Sequence, residues 1–266
     1  MSLRDKLKMS NRTKQLFKSF LLVVFCMLVG GAAGIWTFKK IEWLTTIPSL
    51  AEIKAMDNVS SYLSFGTQDT VHKSRASTVK VVSLAPEQQL FSVATGTYFT
   101  YNGRYFVLTV NHGVTGECQY TKINVDGKFF RCMEFIELNY ISDYAIIEVN
   151  EIPTREAIDI LTTIPTGSEW KDALAILSPV YFTGYPNNVG PLSLSGEIIG
   201  YAPDGLIYIR SYAWAGSSGS AIFTPDGKII GYVLAVDIGN SEFGEDVQEN
   251  ILIVAPSYQI DLGVID

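Results

Sequence analysis

The sequence predicts an all-β protein preceded by one N-terminal transmembrane helix. Three observations carry this reading. Short runs rich in Val, Ile, Thr, Tyr and Phe recur between turn clusters from about residue 93 onward, a spacing that argues for a sandwich or barrel. Asn102-Gly103 and Asp126-Gly127 each sit between two such runs, and these dipeptides are the strongest short-range hairpin signals. Ser19 to Phe38 forms a 20-residue stretch without a charge, long enough to cross a bilayer as a helix.

The amino terminus sets the orientation. Arg4, Lys6, Lys8, Arg12, Lys14 and Lys18 precede the apolar stretch against one acid, Asp5, whereas only Lys39, Lys40 and Glu42 follow closely. This excess predicts a cytoplasmic tail over 1–18, a signal-anchor over 19–38 and the remainder across the membrane, periplasmic or extracellular. Trp36 and Trp43 suit the far interface. A cleaved signal peptide is the alternative, which would make the protein secreted: Leu21 to Val29 is a short apolar core, and Gly31-Ala32-Ala33 could be a cleavage site. Gly30 and Gly34 have a spacing that could pair two such helices in a homo-oligomer. Residues 39–73 read as a tether, loosely helical from Ser49 to Phe65 through Leu50, Ile53, Met56, Val59, Tyr62 and Leu63, and serving either as a spacer or barrel-packed helix or as a regulatory or substrate-contacting arm.

The strands follow in order. Val93–Thr100 and Arg104–Val110 form the first hairpin, and Thr121–Val125 and Lys128–Phe135 the second. Ile141–Val149 is next. Then come Val180–Thr183, Ser193–Tyr201, Leu206–Arg210, Ser220–Phe223, Lys228–Val236 and Asn250–Val254, separated by turn residues such as Pro203-Asp204-Gly205 and Pro225-Asp226-Gly227. Thr154–Thr162, between the two halves, is the one helix expected among them.

Three motifs carry chemistry. His112 ends Leu108-Thr109-Val110-Asn111-His112, Asp143 opens Asp143-Tyr144-Ala145-Ile146-Ile147, and Ser218 lies in Gly216-Ser217-Ser218-Gly219-Ser220. A serine hydroxyl needs a base to become a nucleophile. An imidazole can take its proton and return it to a leaving amine, and a carboxylate fixes the imidazole's tautomer. The glycines let the chain turn tightly so that the N–H groups of Gly216 and Ser218 can face a developing oxyanion. The order His, Asp, Ser is that of the two-barrel β proteases.

On these motifs, residues 74–266 resemble a trypsin-like (chymotrypsin-fold) serine protease, close to the HtrA/DegS branch without its PDZ domain, for which the residues after the last strand leave no room. The family's Thr-x-x-His is matched at Thr109 to His112, and its Asp-x-Ala-Leu-Leu at Asp143 to Ile147. Its Gly-Asn-Ser-Gly-Gly-Pro-Leu is matched at Gly216 to Ile222, with Ser217, Ser220 and Ala221 departing from the pattern. Asp226-Gly227-Lys228-Ile229-Ile230-Gly231 resembles the hairpin after the nucleophile, and Gly184-Tyr185-Pro186 a Gly-x-Pro of the second barrel. The separations, 31 residues from His112 to Asp143 and 75 from Asp143 to Ser218, suit a compact member. The resemblance implies two six-stranded antiparallel β-barrels, a catalytic triad of His112, Asp143 and Ser218, and an acyl-enzyme intermediate. It also implies an S1 pocket walled by Ser211 to Ala215, including Tyr212, and by Val233, Leu234, Ala235 and Val236. No acid or histidine lies there, so the pocket predicts a small or medium apolar P1 residue in a protein or peptide substrate. The alternative is a catalytically silent adaptor that holds a peptide strand beside Leu234 to Val236.

Composition bounds the rest. Residues 1–18 carry +5, so the net charge of −7 leaves −12 on the remainder, which excludes a nucleic-acid surface there. Two histidines and three cysteines without a Cys-x-x-Cys leave no metal site, and no cofactor is expected. Cys26 lies in the apolar span. Cys118 and Cys132 flank the Asp126-Gly127 turn and either pair, given an oxidising compartment, or remain buried thiols.

Overall fold

The computed structural model describes residues 15, 18–29, 62–85, 90–241 and 244–265. Residues 1–58 and 59–266 are separate units. In the first, residues 18–29 are helical, with Phe20, Leu21, Leu22, Phe25, Met27 and Leu28 all exposed. No helix among the described residues is long and apolar enough to cross a membrane. The expected anchor extends to residue 38, and its part beyond residue 29 lies outside the described residues, as does the tether over 39–61.

The second unit opens with a helix, α1 (Phe65–Ser77), followed by β1 (Thr78–Ala85), β2 (Leu90–Tyr101), β3 (Arg104–Val110), β4 (Thr121–Val125), β5 (Lys128–Asn139) and β6 (Tyr144–Val149). These six strands pair antiparallel in the order β1-β4-β5-β6-β3-β2, and β1 pairs with β2 to close the barrel. A short β7 (Ile158–Asp159) adds to β2 in parallel. Two single-turn helices, α2 (Ile160–Thr163) and α3 (Glu169–Ala173), lead to β8 (Pro179–Gly184), β9 (Leu192–Tyr201), β10 (Ile207–Arg210), β11 (Ala221–Phe223), β12 (Ile229–Ser241) and β13 (Gly244–Pro256). The second barrel closes in the order β10-β13-β12-β11-β8-β9.

Strand alternation explains where the core sits. In β4 the pattern runs buried, half-buried, buried, which sends Ile123 and Val125 inward. They meet Val79, Val81, Tyr98, Val107 and Ile147 inside the first barrel. Val180, Phe182, Ile198, Ile209, Leu252 and Val254 fill the second. A third cluster lies between the barrels and draws on both: Phe99, Phe106, Leu108 and Tyr144 from the first, Ala221, Phe223, Ile229 and Tyr232 from the second. Full burial of each large aliphatic or aromatic side chain contributes ~1.5–3 kcal/mol, so this third cluster adds cohesion between the halves.

Both expected hairpins form, their turn residues lying at positive φ: Asn102 at 48° and Gly103 at 75°, Asp126 at 50° and Gly127 at 82°. The helix expected over Thr154–Thr162 does not. Ile158 instead pairs beside Phe99 in β7, and Asp159 caps only the single turn of α2 by accepting from Leu161 N–H at 3.2 Å. Conversely, α1 and β1 were not among the expected elements, and a domain start at residue 74 falls inside α1. Its buried face is mostly hydroxyl: Thr67, Thr70, Ser74 and Ser77 beside Val71. These hydroxyls fasten it to the second barrel, with Thr70 donating to Pro225 O at 3.0 Å and Ser74 to Thr183 Oγ1 at 2.9 Å.

Cys118 and Cys132 are disulfide-bonded, with Cα atoms 5.4 Å apart. The bridge ties the segment following His112 to β5. With a sequence separation of 14, a double Cys118→Ala, Cys132→Ala variant should lose about 3 kcal/mol of stability, the loop-closure value for such a ring. Urea unfolding with and without reductant measures this; coincident midpoints for the two proteins would show that the bridge contributes nothing.

Candidate active site

His112 follows β3 directly, in a one-turn 3-10 helix spanning Asn111–Gly113. The buried run of β3 delivers it to the barrel rim. The turn before β6 brings Asp143 to meet it. Asn139 shapes that turn by accepting from Ile141 N–H at 3.1 Å and Ser142 N–H at 2.9 Å, an Asx-type arrangement. Asp143 itself is left-handed, φ 51°, a conformation that Asp tolerates better than most residues.

Both carboxylate oxygens of Asp143 serve His112. Oδ1 accepts from the backbone N–H of His112 at 2.9 Å, and Oδ2 lies 2.5 Å from Nδ1. A carboxylate can only accept, so in the neutral imidazole Nδ1 carries the proton and Nε2 presents its lone pair. Asn111 N–H adds a bond to Asp143 O at 3.2 Å. The imidazole is thus fixed in place and tautomer while its side chain stays 52% exposed at the cleft.

Ser218 lies in the loop between β10 and β11. Ser220 N–H donates to Ser217 O at 3.0 Å, and Gly219 has φ 89°. This is a type II turn with Ser218 at its second position. Gly219 is required twice over, by its φ and by its surroundings: a Cβ there would stand 2.1 Å from Thr95 O and 2.8 Å from Thr109 Oγ1. The residue next to Ser218 therefore packs on the first barrel three positions before His112. Thr95 N–H donates to Ser218 O at 2.9 Å, and Thr109 Oγ1 donates to Thr95 O at 2.7 Å. No hydrogen bond joins Ser218 to His112 among the described residues. The N–H groups of Gly216 and Ser218 have no protein acceptor among the described residues, whereas those of Ser217, Gly219 and Ser220 are all bonded.

A strut from the second barrel braces the Asp143 turn. Tyr232 donates its phenol to Ser142 O at 2.5 Å and packs edge-on against Tyr144. Burial, then the negative charge of Asp143, push the Tyr232 phenol far above its ordinary range, so it stays a protonated donor. Burial likewise pushes Tyr144 up to about 12; its hydroxyl donates to Glu137 Oε2 at 2.8 Å.

The expected S1 residues are placed unequally. Val233 is 1% exposed and turns into the second-barrel core, so its side chain lines no pocket. Its contribution is backbone, accepting from Gly219 N–H at 2.8 Å and donating to Ser220 O at 2.9 Å. Leu234 is half-buried against the inter-barrel cluster, and Ala235 is exposed. The Val236 side chain lies outside the described residues. Tyr212 is 59% exposed and stacks on Trp214, 6.5 Å between centroids. An open cavity of about 500 Å³ lies along Tyr212, lined also by Tyr181, Glu197, Arg210, Ser211 and Asn250. Sequence reasoning missed Thr95 and Tyr232. Thr95 acts across 121 residues and Tyr232 across 90, where no local motif reaches.

Residues 94–231, a little over half of the chain, match the family model of the trypsin-like peptidase domain. No curated protein sequence matches the chain significantly. Among solved structures, the active form of the Rv3671c protease from M. tuberculosis is similar at 20% identity and TM-score 0.56, covering 71% of this chain and 79% of that one. The serine endoprotease from Yersinia pestis is similar at 16% identity and TM-score 0.56, covering 73% and 63%. These likenesses show a shared fold, and with the family match they place the chain: it belongs to the trypsin-like peptidase family and is a serine endopeptidase.

Proposed function

We propose that His112, Asp143 and Ser218 form the catalytic triad of a membrane-anchored endopeptidase. The observation that carries this reading is the double engagement of Asp143 with His112, through the ring at 2.5 Å and the backbone at 2.9 Å. Binding a peptide strand alone requires neither bond, so the catalytic reading is preferred to the adaptor.

The chemistry follows. Ser218 Oγ attacks the scissile carbonyl carbon as its proton passes to Nε2 of His112. The carbonyl oxygen takes up the negative charge beside the N–H groups of Gly216 and Ser218. Collapse breaks the C–N bond, His112 protonates the departing amine, and an ester on Ser218 remains. Water, deprotonated by His112, attacks that ester and regenerates the hydroxyl. The exposed, stacked rings of Tyr212 and Trp214 support a small or medium apolar P1 side chain, with Glu197 and Arg210 lining the same cavity as Tyr212.

Residues 19–38 are assigned the anchor, with 1–18 cytoplasmic and the barrels extracytoplasmic. Support comes from the basic excess before the apolar stretch and from the Cys118–Cys132 disulfide, which persists in oxidising compartments.

In detergent, a fluorophosphonate probe should label the full-length chain on Ser218. Ser218→Ala should abolish labelling, and His112→Ala should slow it by at least 10³-fold, as loss of the base does in such triads. Labelling that survives Ser218→Ala would overturn the assignment. A P1-randomised peptide library should return Ala, Val or Leu; dominant Arg, Lys or Glu would refute the pocket reading. For the anchor, the expected result is retention of the chain in the membrane fraction after alkaline carbonate extraction, with residues 1–38 still attached. Release into the soluble fraction without them would favour the cleaved signal peptide.

A further inference from the structure

We infer that Thr95 and Ser220 are positioning residues that hold the oxyanion hole assembled, an inference that rests on Ser218 being the nucleophile. In a trans peptide the C=O and the N–H point in opposite directions, so fixing one aims the other. Three consecutive peptides around Ser218 are fixed by their carbonyls. Ala215 O accepts from Asn187 N–H at 2.7 Å, which turns Gly216 N–H the opposite way. Gly216 O accepts from Thr95 Oγ1 at 2.6 Å. Ser217 O accepts from both the N–H and the hydroxyl of Ser220, at 3.0 and 2.7 Å, which turns Ser218 N–H out of the turn.

The two hydroxyls leave the loop no alternative orientation. Thr95 and Ser220 are both fully buried, with no water to compete for their bonds. Thr95 Oγ1 also accepts from Tyr185 N–H at 3.0 Å. Its single hydrogen is therefore committed to Gly216 O. A flip of the Gly216–Ser217 peptide would strand that hydroxyl and also break the bond from Ser217 N–H to Trp214 O at 3.0 Å. The middle peptide is locked, and the two flanking N–H groups keep their aim without any bound ligand. Ser220 is one of the positions that departs from the family pattern, where glycine would supply no hydroxyl at all.

The test compares Ser220→Ala, Thr95→Val and Thr95→Ser in the full-length chain, measuring kcat and KM on an apolar-P1 peptide and Ki for the matching peptidyl boronic acid, whose tetrahedral adduct occupies the hole. Ser220→Ala keeps the Ser220 N–H bond to Ser217 O, so it retains the fold even if Thr95→Val does not. Ser220→Ala and Thr95→Val should lower kcat about tenfold, less than the 10²–10³ lost on deleting a donor outright, with KM unchanged and Ki raised by the same factor. Thr95→Ser should restore both. Ser257→Ala serves as the control, because Ser257 makes a similar buried bond to Ile229 O at 2.7 Å away from the site; it should leave Ki unchanged. Values within twofold of the parent for Ser220→Ala and Thr95→Val, or an equal loss in Ser257→Ala, would overturn the inference while leaving Ser218 as nucleophile. A parent chain that neither cleaves peptide nor takes the probe on Ser218 would overturn both.

Discussion

Thr95 joins the two barrels, and the geometry of the site depends on that joint. His112 and Asp143 belong to the first barrel and Ser218 to the second, so their relative position is only as exact as the seam between them. The apolar cluster that spans the seam supplies cohesion, but hydrophobic burial is non-directional and does not by itself set a register. Hydrogen bonds do, because they weaken steeply with misalignment. Thr95 makes four across a few ångströms: N–H to Ser218 O, O from Thr109 Oγ1, and Oγ1 both to Gly216 O and from Tyr185 N–H. A sliding of one barrel on the other by half a residue would break all but the bond within the first barrel.

The opposite side of the seam is fixed in the same way. Tyr232, on β12 of the second barrel, reaches the carbonyl of Ser142, immediately before Asp143. Thr95 thus carries the first barrel to the loop of Ser218, and Tyr232 carries the second barrel to the turn of Asp143. Two braces in opposite senses resist rotation as well as translation. Burial, then the negative charge of Asp143, raise the Tyr232 phenol well above its ordinary range, which keeps it a donor to Ser142 O. Asp143 can hold its left-handed backbone because both its neighbours are tied down: Ser142 by Tyr232 and Asn139, and Tyr144 by the pairing of β6 with β3.

Much of this was legible in the sequence wherever the cause was local. The Asn102-Gly103 and Asp126-Gly127 hairpins form because positive φ at both turn residues is a property of the dipeptide. The motifs of His112, Asp143 and Ser218 were readable because each lies within a few residues of a strand marked by a continuous apolar run. What was missed has non-local causes. α1 escaped because its buried face is Thr and Ser rather than Leu and Ile, so it shows no apolar period; its hydroxyls are satisfied by Pro225 and Thr183, far along the chain. The segment at Thr154–Thr162 has helical composition, but Ile158 gains more by joining the edge of β2 beneath the inter-barrel cluster. Val233 was expected in the S1 wall, yet strand alternation in β12 directs it into the barrel interior.

The departures at Ser217, Ser220 and Ala221 are better understood from their surroundings than from a motif. Ala221 opens β11, opposite Tyr232, at 3% exposure, so a small side chain with a free N–H is what the ladder admits there. Ser217 is 1% exposed, and its hydroxyl has no partner among the described residues, which leaves its backbone as the part that shapes the loop. Ser220 is accommodated by a glycine far away in sequence: a Cβ on Gly184 would stand 2.4 Å from Ser220 Oγ and 3.1 Å from Thr95 Oγ1. Only the bare backbone of Gly184 leaves room for both hydroxyls at the seam. The serine that replaces the motif's glycine and the glycine at the end of β8 are therefore two halves of one packing solution. The space that one residue gives up becomes the hydrogen bond the other makes to Ser217 O, beside Ser218.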